Sequence, residues 1–192
     1  MCSRFELNAN SRQVTARFNL LAPPGMPNRA ETRPTDSALV IGVGGASLAR
    51  WGLAVEWDSR PLINARSETL ASRPTFRRLL GCRVLIPASA WWEWRAEGTR
   101  RIKTKLAPAK SGLFAFAGLL DGECFTMITC AAPTELAEVH ERMPVILPPE
   151  AEAAWVDPAV PYAEMAPLLR PMAGPFTIEA EAPPSPVQGS LF

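Results

Sequence analysis

The sequence predicts an α+β fold, a single domain built on a mainly antiparallel, curled or barrel-like β-sheet with short helices at its periphery. Eight strand-length segments crowd the stretch from Thr15 to Cys130. Helical signals are short and fall mostly after Thr134. Twenty prolines and 12 glycines among 192 residues punctuate the chain too densely for long helices.

Strand-like segments are residues 15–21, 38–43, 51–55, 83–86, 91–95, 101–106, 113–119 and 124–130. The last two flank Leu120-Asp121-Gly122-Glu123, whose Asp-Gly pair is a strong hairpin signal. Ser72-Arg73-Pro74 opens a helical segment with Phe76, Leu79 and Leu80 at helical spacing and Gly81 as its stop. Further short helices are expected over 134–139, 149–155 and 161–169. From Glu179 the chain becomes Glu-Ala-Glu-Ala-Pro-Pro-Ser-Pro-Val-Gln-Gly-Ser-Leu-Phe, too poor in apolar surface to order itself. The expected division is a domain over 1–178 and a disordered Pro-rich tail over 179–192.

No apolar run approaches the roughly 18 residues a membrane span needs. Arg4 and Glu6 stand where a signal peptide would be apolar, so a cytoplasmic protein is expected. A net charge of +1 argues at first against nucleic acid. That average hides a division: residues 1–110 hold 18 Lys and Arg against 8 acids, a net of +10, while residues 111–192 hold 2 against 11, a net of −9. Seventeen of the 20 basic residues are Arg, whose rigid fork suits phosphate, although high-GC genomes enrich Arg as well. The four cysteines form no CxxC pair and have no nearby His to complete a zinc set, so no metal site is expected. Cys82, Cys124 and Cys130 lie in apolar or small-residue contexts and read as buried core thiols.

Cys2 is different. Removal of Met1 would leave an α-amine and a thiol on adjacent carbons, with pKa values of about 7.7–8.0 and about 8.5. The amine can condense with an aldehyde to an imine, and the thiol can then close on the imine carbon to give a thiazolidine. Glu93 lies in Trp91-Trp92-Glu93-Trp94, where strand alternation puts Trp92 and Trp94 on one face and Trp91 and Glu93 on the other. A carboxylate desolvated beside indoles suits general acid/base work; a surface Glu on an edge strand is the plainer reading. His140, the only histidine, stands in a polar cluster with Glu138, Glu141 and Arg142 at a helix end, fit for proton transfer or simply solvated. Asn64-Ala65-Arg66 puts an amide and a guanidinium on one face of an extended segment, able to hold an oxyanion or to cap the next helix.

Together these blocks resemble the SOS response-associated peptidase (SRAP) family over roughly residues 1–157. Met1-Cys2-Ser3-Arg4-Phe5 resembles its opening Met-Cys-Gly-Arg-Phe, and Arg17-Phe18-Asn19-Leu20-Leu21-Ala22-Pro23 its Arg-Tyr-Asn-x-Ala-Pro strand with one residue inserted. Trp51-Gly52-Leu53, Trp57-Asp58 and Pro61-Leu62-Ile63-Asn64-Ala65-Arg66-Ser67-Glu68-Thr69 are similar to its most recognisable block. Ile86-Pro87-Ala88, Trp92-Glu93-Trp94 and Val139-His140-Glu141-Arg142-Met143-Pro144 complete it.

The resemblance implies covalent capture of abasic sites in single-stranded DNA through a thiazolidine formed by the processed N-terminal Cys2. It implies that Asn64 orients the amine or sugar, Glu93 shuttles protons and His140 assists opening of the sugar ring. Arg4 and Arg66 would hold flanking phosphates, Trp57 would stack at the DNA junction, and Thr129 would contact the backbone. No cofactor is implied, and a monomer is expected. Ser3 replaces the family's Gly, the segment between Phe5 and Arg17 is short, and the family's usual ending is missing after Met172. In its place, Gln188-Gly189-Ser190-Leu191-Phe192 resembles the Gln-Leu-Ser-Leu-Phe peptide that docks on the bacterial sliding clamp, with Gln188, Leu191 and Phe192 at the matching positions. Two other functions fit the residues: a Cys/His/Glu thiol peptidase acting on proteins in trans, and a DNA-binding module without chemistry.

Overall fold

The structure is a computed structural model and describes residues 2–22, 24–27, 30–110 and 112–181. Along the chain, β1 (Arg4–Glu6) leads to helix α1 (Ser11–Phe18), then to β2 (Glu31–Thr32), β3 (Ser37–Gly42), β4 (Gly45–Trp51), β5 (Leu53–Val55), β6 (Asp58–Leu62) and β7 (Asn64–Arg66). After helix α2 (Pro74–Arg77) come β8 (Arg83–Ala88), β9 (Ala90–Glu97), β10 (Arg100–Pro108), β11 (Phe114–Asp121) and β12 (Cys124–Ala131). The last part holds α3 (Thr134–Ala137), β13 (Arg142–Pro144), β14 (Ile146–Leu147), α4 (Glu152–Val156), α5 (Tyr162–Met165) and β15 (Phe176–Ala180).

Five strands form one sheet in the order β15-β10-β9-β1-β2. In the second sheet β12, β4, β3, β8 and β11 are bonded in turn, and β11 pairs back onto β12, so the strands close a ring. The expected curled, mainly antiparallel sheet is therefore present, with two parallel exceptions where β12 meets β4 and β7. The Asp-Gly hairpin is also present: Asp121 pairs with Cys124, and Gly122 takes the left-handed φ of 59° that the turn requires.

The sheets meet through aromatic side chains. Phe5 of β1 lies edge-on to Trp51 and Phe116, with centroids 5.1 and 6.1 Å away, and Trp91 of β9 meets Phe114, Phe116 and Phe176 in the same manner. Arg83 is only 3% exposed, yet its fork donates to the carbonyls of Leu80 (2.7 Å) and Val160 (2.8 Å), and also to those of Trp155 and Asp157. A buried cation is tolerable here because backbone dipoles replace its water shell. It ties the α4 segment to the ring.

Several expectations are corrected. Residues 15–21 form no strand; most belong to α1, which starts at a reciprocal capping box where Asn10 and Gln13 exchange backbone-to-side-chain bonds of 2.9 and 3.0 Å. Its Arg17 locks the helix down with bidentate bonds to Glu152 (2.6 and 2.9 Å) and a bond to the Leu113 carbonyl. The 51–55 strand is cut in two at Gly52, whose φ of 123° and 2.8 Å approach of a notional Cβ to Pro61 leave room for no side chain. Cys82 is exposed and Cys124 half-buried, because one sits in the turn before β8 and the other directly after the hairpin turn; of these three, Cys130 alone is a core thiol. The 178 boundary also moves: β15 pairs with β10 up to Thr104↔Ala180, and Glu181 accepts from Trp92 Nε1 at 2.7 Å. Ser3, which stands where the family has Gly, has no positive φ; Asn19 and Thr35 are the described non-glycine residues that do. Among the described residues no helix is long and apolar enough to cross a membrane.

Candidate active site and nucleic-acid interface

Cys2 stands two residues before β1, which is hydrogen-bonded on both edges, to β9 through Arg4↔Trp92 and to β2 through Phe5↔Thr32. That double pairing sinks the N-terminal segment into the fold and leaves Cys2 1% exposed. Its Sγ donates to the Arg4 carbonyl at 3.3 Å, and its own carbonyl accepts from Asn64 Nδ2 at 2.7 Å. Asn64 is set by β7, which runs parallel to β12 with Met127↔Asn64 and Thr129↔Arg66 in register, so the amide and the Arg66 guanidinium share a face. The Oδ1 of Asn64 is buried with no hydrogen-bond partner among the described residues. An amide anchored to Cys2 at its nitrogen end thus keeps a buried acceptor unused at its other end.

Glu93 is placed by the alternation along β9: Trp91 and Glu93 are 0% and 1% exposed, pointing inward. Burial pushes its carboxyl up to about 7, where it can both hold and release a proton at neutral pH. Burial first, and then the Glu93 charge, push the Cys2 thiol well above its ordinary value. His140 follows α3, half-buried, and its Nδ1 accepts from the Arg142 backbone N–H at 3.0 Å. Burial lowers its pKa, so the ring is neutral at pH 7 and carries its proton on Nε2.

The nucleic-acid candidates divide by exposure. Trp57, at the tip of the β5–β6 hairpin, is 65% exposed. Arg66 is exposed at the end of β7. Arg4 lies over the Trp94 ring at 5.8 Å and is paired to Glu31 at 2.5 Å. Glu31 also takes Lys103, and Glu6 takes Lys105, so much of the basic half's charge on this sheet face is met locally. Thr129 offers no surface: it is 0% exposed and covered by Arg142, whose Nη2 donates to its carbonyl at 2.8 Å. A DNA contact at Thr129 would require Arg142 to move aside. Arg142 is the neighbour that sequence reasoning missed, although it is one of only two Lys or Arg after residue 110 and stands beside the only His. Gln188, Leu191 and Phe192 lie outside the described residues.

A concavity of about 760 Å³ between Arg17, Leu113, Phe114, Ile146, Leu168 and Met172 shares no residue with this site. No group of His, Cys, Asp or Glu among the described residues is arranged to hold a metal ion.

The model for the SOS response associated peptidase (SRAP) family matches residues 1–182. The abasic site processing protein YoqW of Bacillus subtilis is 35% identical over 181 residues, covering 82% of this chain and 81% of its own. The abasic site processing protein YedK of Escherichia coli is 34% identical over 116 residues, covering 55% of this chain and 52% of its own. A crystal structure of a Bacteroides thetaiotaomicron protein superposes with a TM-score of 0.81 at 23% identity, covering 93% of this chain and 91% of that one. On the strength of the model match over residues 1–182 and the YoqW relationship, the chain belongs to the SOS response associated peptidase family.

Proposed function

We propose that the protein captures abasic sites in single-stranded DNA by covalent reaction at Cys2. The observation that carries this reading is the setting of Cys2 between the Asn64 amide and the buried Glu93 carboxyl. The names of its relatives as abasic site processing proteins agree with it.

Removal of Met1 converts the Cys2 nitrogen from an amide to an amine. That amine adds to the aldehyde carbon of the ring-opened sugar, and the resulting carbinolamine loses water to give an imine. Protonated Glu93 supplies the proton that lets hydroxide leave as water; as carboxylate it takes the proton back from the nitrogen. The thiol then adds across the C=N bond, its proton passing to the nitrogen, and a thiazolidine closes with no oxidant or cofactor. His140, neutral with a proton on Nε2, suits donation to the ring oxygen of the closed sugar as it opens. A thiol peptidase acting in trans has less support, because such an enzyme needs a thiolate and burial disfavours one at Cys2. Whether Met1 leaves by the protein's own action or another's is decided by expressing Cys2→Ala beside wild type and weighing both chains.

Incubation of the processed protein with an abasic single-stranded oligonucleotide is expected to give a covalent adduct of summed mass less one water, abolished in Cys2→Ala. Failure of the processed wild type to form any adduct overturns the reading. Arg4, Arg66 and Trp57 supply the noncovalent grip, and affinity should fall with salt by about 0.7 in log–log slope per phosphate neutralised. The terminal Gln188, Leu191 and Phe192 form a sliding-clamp ligand in this reading; deletion of residues 188–192 should abolish co-elution with the clamp and leave cross-linking intact.

A further inference from the structure

We infer that Glu68 is an exchangeable stand-in for a DNA phosphate: its carboxylate occupies, on the Arg142 fork, the place that a phosphate of a strand passing Arg66 takes, and it sets how tightly an intact strand is held. The inference rests on the single-stranded DNA reading above and identifies a residue that tunes selectivity at that site.

Arg142 is built to present its fork in one direction. It opens β13, opposite Ala131 of β12, and its side chain folds back so that Nη2 donates to the Thr129 carbonyl and Nε approaches Thr129 Oγ1. Its side chain is only 11% exposed. The outward donors of Nη1 and Nη2 both go to one acceptor, the Glu68 carboxylate, at 3.0 and 2.9 Å. Two parallel N–H···O bonds to two oxygens of one anion are also how a guanidinium takes a phosphate.

Glu68 itself has little else to do. It is half exposed, in the one-turn 3-10 helix Ser67–Thr69 that follows β7, a turn with no side-chain cap. The Arg142 pair and the charge of nearby Arg66 draw its carboxyl below the usual range. Arg66, Glu68 and Arg142 thus form a plus-minus-plus group next to the candidate site: Asn64, which bonds Cys2, is two positions before Arg66 on the same strand, and His140 takes the Arg142 N–H. A negative charge between two cations at a nucleic-acid groove opposes phosphate directly. Only the Glu68 half of the pair is half exposed and reaches the buried fork from the solvent side, so a phosphate that brings its own contacts can take its place without unseating Arg142. Intact strands compete with Glu68, whereas an abasic strand is retained by the covalent step once it arrives.

The test is binding of processed Glu68→Gln and Glu68→Ala to an intact, unmodified single-stranded oligonucleotide, followed by fluorescence anisotropy over a salt series. Both variants should bind about threefold or more tightly than wild type near 50 mM salt, with a log–log salt slope steeper by about 0.7. In an Arg142→Gln background, Glu68→Gln should give no gain. Unchanged or weaker binding at unchanged slope overturns the proposal, as does a gain that survives Arg142→Gln. Loss of folding in both variants also overturns it, by making the pair a structural tie. Failure of wild type to bind any single strand is a different outcome and removes the DNA reading itself.

Discussion

Asn64 holds Cys2 by its backbone and leaves its thiol alone: Nδ2 donates to the Cys2 carbonyl at 2.7 Å, while Oδ1 lies buried beside it without a partner among the described residues. An unsatisfied buried acceptor is costly in a resting protein and useful in one that receives a donor, such as an amine or a sugar hydroxyl, during its reaction. Asn64→Ala removes both functions and Asn64→Asp inverts the first. Either should slow cross-linking by roughly 5- to 150-fold, the rate equivalent of about 1–3 kcal/mol for an unmet buried polar group. A time course of adduct formation at saturating DNA measures it, and an unchanged rate removes Asn64 from the mechanism.

Glu93 should make stability depend on pH in an unusual direction. Between the unfolded carboxyl pKa near 4.3 and the folded value of about 7, the native state keeps a proton that the unfolded chain has released. Stability contributed in this way falls as pH rises through that window and is constant above it, with a total change on the order of 3 kcal/mol. Glu93→Gln should match wild type below about pH 4 and exceed it at pH 8 in urea unfolding. Parallel curves for the two proteins would show that Glu93 titrates normally.

Trp57 separates binding from folding. At 65% exposure its loss should leave unfolding free energy within about 0.5 kcal/mol of wild type. Affinity for single strands should drop by roughly 1–3 kcal/mol, as for a lost stacking platform. Anisotropy and thermal melting of Trp57→Ala decide the matter together; a weakened fold with unweakened binding would reverse the assignment.

Arg83 makes the opposite case. Its guanidinium serves four backbone carbonyls, and Lys, with a single point of charge, cannot reach all of them. Arg83→Lys and Arg83→Ala should each cost about 3 kcal/mol or more in denaturant unfolding. A mild effect would mean that water reaches those carbonyls.

Much of the site was legible because it depends on local alternation. Trp91-Trp92-Glu93-Trp94 on a strand puts Glu93 beside Trp91 on one face, and the fold then buries that face. Asn64 and Arg66 likewise share a face through period-2 geometry. What escaped is non-local or local in a subtler way. The parallel pairing of β7 on β12 and the Arg142 bonds to Thr129 and Glu68 join residues far apart in sequence, where no spacing signals them. The misread segment 15–21 is instructive because its correction was local: Asn10 and Gln13 form a capping box that outweighs the β-leaning of Val14, Thr15 and Phe18. Cys130 could be placed in the core from its apolar neighbours, but Cys82 and Cys124 sit at element ends, where composition says little about burial.

The double pairing of β1 also sets a schedule during synthesis. The strand that buries Cys2 needs β9, which is complete only at Glu97. At ribosomal rates of about 5–20 residues per second, the N-terminus therefore remains without its strand partner for roughly 5–20 s. Any enzyme that must reach the chain's first residues has that interval in which to work, before the sheet closes over them.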